Sequence, residues 1–153
     1  MEITATIVIG VMLVALFGLA FISGRRFGLL GLGVAAGTLL AGQTAVWLED
    51  VFMVFKQYLG GISPAQAAAI LLVLAPSLVL MLAGPRYHSL KGRLLGATLY
   101  TLMAGFAVLP FVLSSVDIPS DIKNIITTFH VSAIVVGIVV AVADNLITRS
   151  HKR

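Results

Sequence analysis

Between Ile3 and Leu48 the chain carries no charge except at Arg25 and Arg26. No other feature of the sequence limits the fold as tightly. The hydrocarbon core of a bilayer is about 30 Å thick and is crossed by about 20 apolar residues in a helix. In lipid every backbone N–H and C=O must be satisfied within the segment, so runs of this kind are helical. The stretch therefore divides into two membrane-length spans, about 3–22 and 27–48, joined at Ser23-Gly24-Arg25-Arg26. So short a connection predicts a helical hairpin with its turn at one face of the bilayer.

The remainder follows the same plan. Ser63-Pro64-Ala65-Gln66 is a helix start: Ser63 can cap, Pro64 suits the first helical position, and Gln66 completes a capping box. A third span, about 63–83, has Pro76 at its middle, where a lost hydrogen bond predicts a kink. Gly84-Pro85 stops it. The loop from Arg86 to Arg93 carries Arg86, His88, Lys91 and Arg93, and a fourth span follows over about 94–116, with Pro110 near its far end. Asp117-Ile118-Pro119-Ser120-Asp121 reads as a turn and a second helix start. A fifth span covers about 125–148, with His130 and Asp144 near its two ends, and a basic tail closes the chain.

One segment is of another kind. From Glu49 to Gly61, Val51, Phe52, Val54, Phe55, Tyr58, Leu59 and then Ile62 recur at helical spacing, interrupted by Glu49, Asp50, Lys56 and Gln57. This predicts an amphipathic helix lying in the interface, with continuation of the second span beyond the headgroups as the alternative. Trp47 suits the membrane–water boundary. Gly60-Gly61 is the expected break.

Only 10% of the 153 residues are charged and 59% are hydrophobic, against roughly a quarter charged in soluble domains. The expected fold is thus a single all-α polytopic membrane domain over residues 1–153. The net charge of +4 sits in the connections and gives no nucleic-acid signal. Without cysteine there is no disulfide, thiol redox centre or thiolate metal site. Glu2 stands where a signal peptide has a basic region, which makes the first run a permanent span. Five spans with the amino terminus outside put Arg25, Arg26, Arg86, Lys91, Arg93, Arg149, Lys152 and Arg153 on the cytoplasmic side and only Lys56 and Lys123 opposite. Glu2, Glu49, Asp50, Asp117 and Asp121 fall on the outer side. That is a strong positive-inside bias; four spans would leave the basic tail outside.

Helices in lipid associate through close packing of small residues. Three ladders offer this: Gly33, Gly37, Ala41 and Ala45; Ala97, Thr101 and Gly105; and Ala133, Gly137 and Ala141. Packing within one subunit is the expected use, and a homo-oligomer face or a seat for a partner's helix is the alternative. Gly24-Arg25-Arg26-Phe27-Gly28 and Gly92-Arg93-Leu94-Leu95-Gly96 share the pattern G-R-x-x-G at two hairpins. They raise the prospect of parallel repeats related by an axis along the membrane normal. Two helix amino termini with basic side chains attract anions. Arg25, Arg26, Lys91 and Arg93 are the candidates to cradle an anionic lipid headgroup, the other reading being that they only set topology.

Ionisable residues inside a membrane are functional candidates. Asp144, one turn from the basic tail, is expected to pair with Arg149 or a loop arginine, or to relay protons. His130 is expected to snorkel outward. The two lie about 21 Å apart along one helix and cannot meet. No catalytic, metal or cofactor site is expected: the three histidines lack ligand spacing, and no nucleophile elbow, zinc motif or phosphate loop occurs. Gln43, Gln66 and Asn145 serve as interhelical hydrogen-bonding groups. A water pathway would have only Thr38, Gln43, Ser77, Thr98 and Thr101 to line it.

The basic turn Gly24-Arg25-Arg26-Phe27-Gly28-Leu29 leading into a glycine-bearing second helix, with Arg93-Leu94-Leu95-Gly96-Ala97 heading a later one, resembles the colicin V production protein (CvpA-like) family of bacterial inner-membrane proteins. The likeness runs to about residue 116. Gly92 stands where that family often has an acidic residue. The resemblance implies a multi-pass inner-membrane protein, not an enzyme, linked to export or toxin production and to envelope homeostasis. A small transporter or channel subunit is the competing reading, and a structural subunit of a larger complex is the third. Expected partners are membrane lipids and another membrane protein or further copies of the chain, with no nucleic acid.

Overall fold

A computed structural model of the chain describes residues 2–53, 63–83, 85–113 and 120–150. The expected break at Gly60-Gly61, the turn at Asp117–Pro119 and the tail residues Lys152 and Arg153 lie outside them, as do the side chains of Ala45, Trp47 and Arg149. Among the described residues five helices follow one another: α1 (Glu2–Ser23), α2 (Phe27–Met53), α3 (Pro64–Leu82), α4 (Leu90–Leu113) and α5 (Ser120–Ser150). Among the described residues, α2 over Phe27–Thr44, α3, α4 and α5 over Asn124–Leu146 are each long and apolar enough to cross a membrane. In α1 the described apolar stretch, Gly10–Ser23, is shorter.

Helix starts follow the local chemistry. Ser63 Oγ accepts from the Gln66 N–H at 3.2 Å and Gln66 Oε1 accepts from the Ser63 N–H at 2.9 Å, with Pro64 in the first position. The capping box expected from sequence is thus present. Two boundaries differ from expectation. α4 begins at Leu90, because Ser89 caps it by accepting the Gly92 N–H at 3.1 Å. α2 runs unbroken to Met53, so Glu49–Met53 prolong the second helix rather than open an interfacial one; the remainder of that segment, from residue 54, lies outside the described residues.

The short connection at 24–26 does not give a packed hairpin. α1 barely touches α2; it lies on α4, while α2 packs most extensively on α3. α2 and α4 meet at the centre, and α5 rests on both. The small-residue ladders account for this pairing. A Cβ at Gly33 would stand 2.9 Å from Ser77 Cα, and one at Gly37 would run into the carbonyls of Leu72 and Val73. Pro76 has no N–H to offer the Leu72 carbonyl, and the bare backbone of Gly37 closes on that carbonyl instead. Leu13 of α1 fits against Gly105 of α4, and Met103 of α4 fits against Gly137 of α5. Ala41 and Ala141 are buried with them, and Ala133 lines the α4–α5 seam. All three ladders are used inside one chain.

The core takes Leu16 and Ala20 from α1, Leu30 and Val34 from α2 and Val73 from α3. α4 gives the most, at Ala97, Tyr100, Met103, Ala104, Ala107 and Val108, a spacing that puts one stripe inward. Its one buried polar contact among the described residues joins Ser77 Oγ to Tyr100 Oη at 2.9 Å. Among its described residues, α5 buries only Ala141 completely and presents Phe129, Val135, Val139 and Leu146 outward.

Candidate functional site

The turn after α1 and the loop after α3 meet at one end of the bundle. The Arg26 N–H donates to the Pro85 carbonyl at 3.2 Å and the Tyr87 N–H to the Gly24 carbonyl at 2.8 Å, forming an antiparallel bridge that sets Arg25 opposite Arg86. Each arginine of the two G-R-x-x-G motifs then crosses to the other hairpin. Arg25 donates to the carbonyls of Met81 (3.1 Å) and Leu82 (2.8 Å) at the end of α3. Arg93 donates to those of Phe21 (2.8 Å) and Ile22 (3.2 Å) at the end of α1 and lies over the Phe21 ring at 5.2 Å. A helix leaves its last carbonyls without intrahelical partners and carries partial negative charge there. A guanidinium on those carbonyls answers both.

This exchange gives both arginines a use inside the bundle: Arg25 and Arg93 each hold a helix end. The motifs also occupy different local positions: Gly24 precedes α2 with φ +59°, whereas Gly92 lies within the first turn of α4. The likeness between the halves is in what the arginines do.

Tyr87 sits at the middle of the end. Its hydroxyl accepts from the Phe27 N–H at 3.1 Å and donates to Asp144 Oδ2 at 3.4 Å. The Gly28 N–H donates to the same carboxylate oxygen at 2.9 Å. The Arg26 guanidinium lies 5.9 Å from the Tyr87 ring centroid, within cation–π range. Burial is the main cause that pushes the Tyr87 phenol above its ordinary value, with the Asp144 charge adding to it and the Phe27 N–H opposing it. Tyr87 is therefore a hydroxyl at any physiological pH. The anion expected at the amino terminus of α2 is supplied by the chain itself, as Asp144.

The four motif glycines make the room for this cluster. A Cβ at Gly24 would stand 2.8 Å from Arg93 Nε, and one at Gly28 would stand 2.6 Å from the Ala141 carbonyl and 2.9 Å from Asp144 Oδ2. One at Gly92 would stand 3.0 Å from the Tyr87 ring, and one at Gly96 would enter that ring. Sequence reading missed Tyr87 and Ser89. A serine just ahead of a helix is a recognisable cap, but nothing local marks Tyr87, whose partners lie 57 and 60 residues away.

The other candidates are dispersed. Lys91, Arg86 and His88 are exposed at the basic end. Asn145 Nδ2 donates to the Ala141 carbonyl of its own helix at 3.2 Å. His130, toward the other end of α5, lies against the Ala107 carbonyl, and its buried Nε2 has no hydrogen-bond partner among the described residues. The hydroxyls considered as a water path turn back on their own helices: Thr38 to the Ala35 carbonyl, Thr98 to Leu94, Thr101 to Ala97 and Ser77 to Leu74. Gln43 is exposed. Three grooves, of about 210, 190 and 410 Å³, are lined by apolar side chains, glycine and Thr101. No family model, curated protein or solved structure matches the chain.

Proposed function

We propose that this chain is a five-span protein of a bacterial inner membrane, amino terminus outside and carboxyl terminus cytoplasmic, that works without catalysis as a factor in export or envelope upkeep. The observation that carries the reading is the inward use of its polar groups. Arg25, Arg93, Asp144 and Tyr87 bind helix ends, the described threonine hydroxyls bind their own carbonyls, and Ser77 is closed on Tyr100. Among the described residues, what faces outward is mostly apolar helix surface, with an exposed basic rim at Arg86, His88 and Lys91. Such a molecule works by contact with lipids and with other membrane proteins. The collection of the described basic loops at one end supports the orientation, and the resemblance of the two basic motifs to the colicin V production family supports the link to export.

The test is native mass spectrometry of the protein extracted gently from its own membrane, paired with solute flux in proteoliposomes. Stoichiometric recovery of another membrane protein, with no flux above empty liposomes, is the expected result. Flux abolished by Asp144→Asn would overturn the reading in favour of a transporter.

A further inference from the structure

The bridge at the basic end places two like charges face to face. Its hydrogen bonds run from Arg26 to Pro85 and from Tyr87 to Gly24, so Arg25 and Arg86 form the non-hydrogen-bonded pair, in which directly opposite side chains are closest. Like charges in that position repel. The carbonyls of Met81 and Leu82 take up the Arg25 guanidinium. Arg86 is exposed, and no described residue bonds its side chain.

The largest of the three grooves, about 410 Å³, opens between α2 and α3. Leu29, Leu32 and Ala36 line one wall and Pro76, Val79 and Leu80 the other. Leu80 adjoins Met81, whose carbonyl holds Arg25, so one end of the groove lies within about one helical turn of that contact. From Leu29 to Ala36 the wall is about 10 Å long, against about 15 Å for one leaflet of the hydrocarbon core. The groove exists because Ala36 and Gly33 are small and because Gly33 lies close to Ser77 and Leu80 across the seam.

We propose that the Arg25–Arg86 pair and the α2–α3 groove form a site for one anionic phospholipid, its phosphate at the arginines and an acyl chain along the groove. Basic pockets between membrane helices on the cytoplasmic side take headgroups of this kind. Arg86 supplies the open guanidinium fork that fits a phosphate, and Arg25, held by the end of α3, supplies fixed positive charge beside it. The inference rests on the membrane reading above.

The experiment reconstitutes the full chain in nanodiscs of mixed phosphatidylglycerol and phosphatidylcholine and counts the lipid retained by native mass spectrometry. Wild type should retain phosphatidylglycerol. Arg86→Gln should lower that retention about fivefold, the effect of one basic charge at a membrane surface. Ala36→Phe, which fills the groove from an exposed position, should lower it comparably with the arginines intact. Lys91→Gln, at the same end on α4, should leave it unchanged. Equal losses in Arg86→Gln and Lys91→Gln with none in Ala36→Phe would mean diffuse surface attraction and would overturn the site. Displacement of the lipid by inorganic phosphate alone would overturn it too, since the acyl chain would then contribute nothing. Release of the wild-type protein from membranes by alkaline carbonate would instead overturn the membrane reading.

Discussion

At the scale of single residues, this chain shows how much can depend on the absence of a side chain. Gly28 and Gly96 each touch the Tyr87–Asp144 cluster so closely that a methyl group has no place to go. Gly18 and Gly42 meet nothing within 4 Å of where a Cβ would be. In a helix interior alanine is otherwise the better residue by up to about 1 kcal/mol, so the two pairs should respond in opposite senses. Gly28→Ala and Gly96→Ala are expected to cost about 1–3 kcal/mol through overpacking, and Gly18→Ala and Gly42→Ala to be neutral or stabilising. Thermal denaturation in one detergent compares all four; a uniform response would mean that the cluster does not constrain the fold. The same contacts explain Gly92. The Tyr87 ring and Ser89 Oγ stand 3.0 Å from the missing Cβ.

At the scale of elements, the successive helix pairs α1–α2 and α3–α4 are locked by exchange. Arg25 leaves the first to hold the end of α3, and Arg93 leaves the second to hold the end of α1. Each forms charge-assisted bonds to carbonyls that the helix cannot satisfy. Arg25→Gln and Arg93→Gln should each cost about 1–1.5 kcal/mol, between the usual value for polar contacts between membrane helices and the lower end for bonds to charged groups. Because both act on one docked arrangement, the double variant should cost less than the two added together. Unfolding in mixed detergent measures the cycle. Strict additivity would mean that the two ends open independently. Lysine should restore little at either position, since it lacks the planar fork that reaches two carbonyls at once.

At the scale of the whole molecule, the prediction concerns orientation. The chain has no cysteine, so single cysteines can be introduced without background. With five spans and the basic end inside, Lys56→Cys should react with a membrane-impermeant maleimide applied to intact cells. His88→Cys should react only after permeabilisation. Labelling of both from outside would remove the five-span reading.

What the sequence determined by itself was the class of molecule and the positions of its helices. Long uncharged runs have one stable form in lipid, and Ser63-Pro64-Ala65-Gln66, Gly84-Pro85 and the basic turns are local signals, each read within a few residues. The small-residue ladders were legible as packing faces, but their partners were not. Helices that are apolar all round carry no stripe to say which side is buried. Only the tertiary structure decided that α2 lies on α3 and α1 on α4, because shape makes that choice: Gly37 against the carbonyls left at Pro76, Leu13 against Gly105. The site was half legible for the same reason. Arg25, Arg93 and Asp144 stood out as charges in an apolar chain, yet their partners lie 56, 72 and 116 residues away. No local pattern encodes such distances, and only the folded chain brings those groups together.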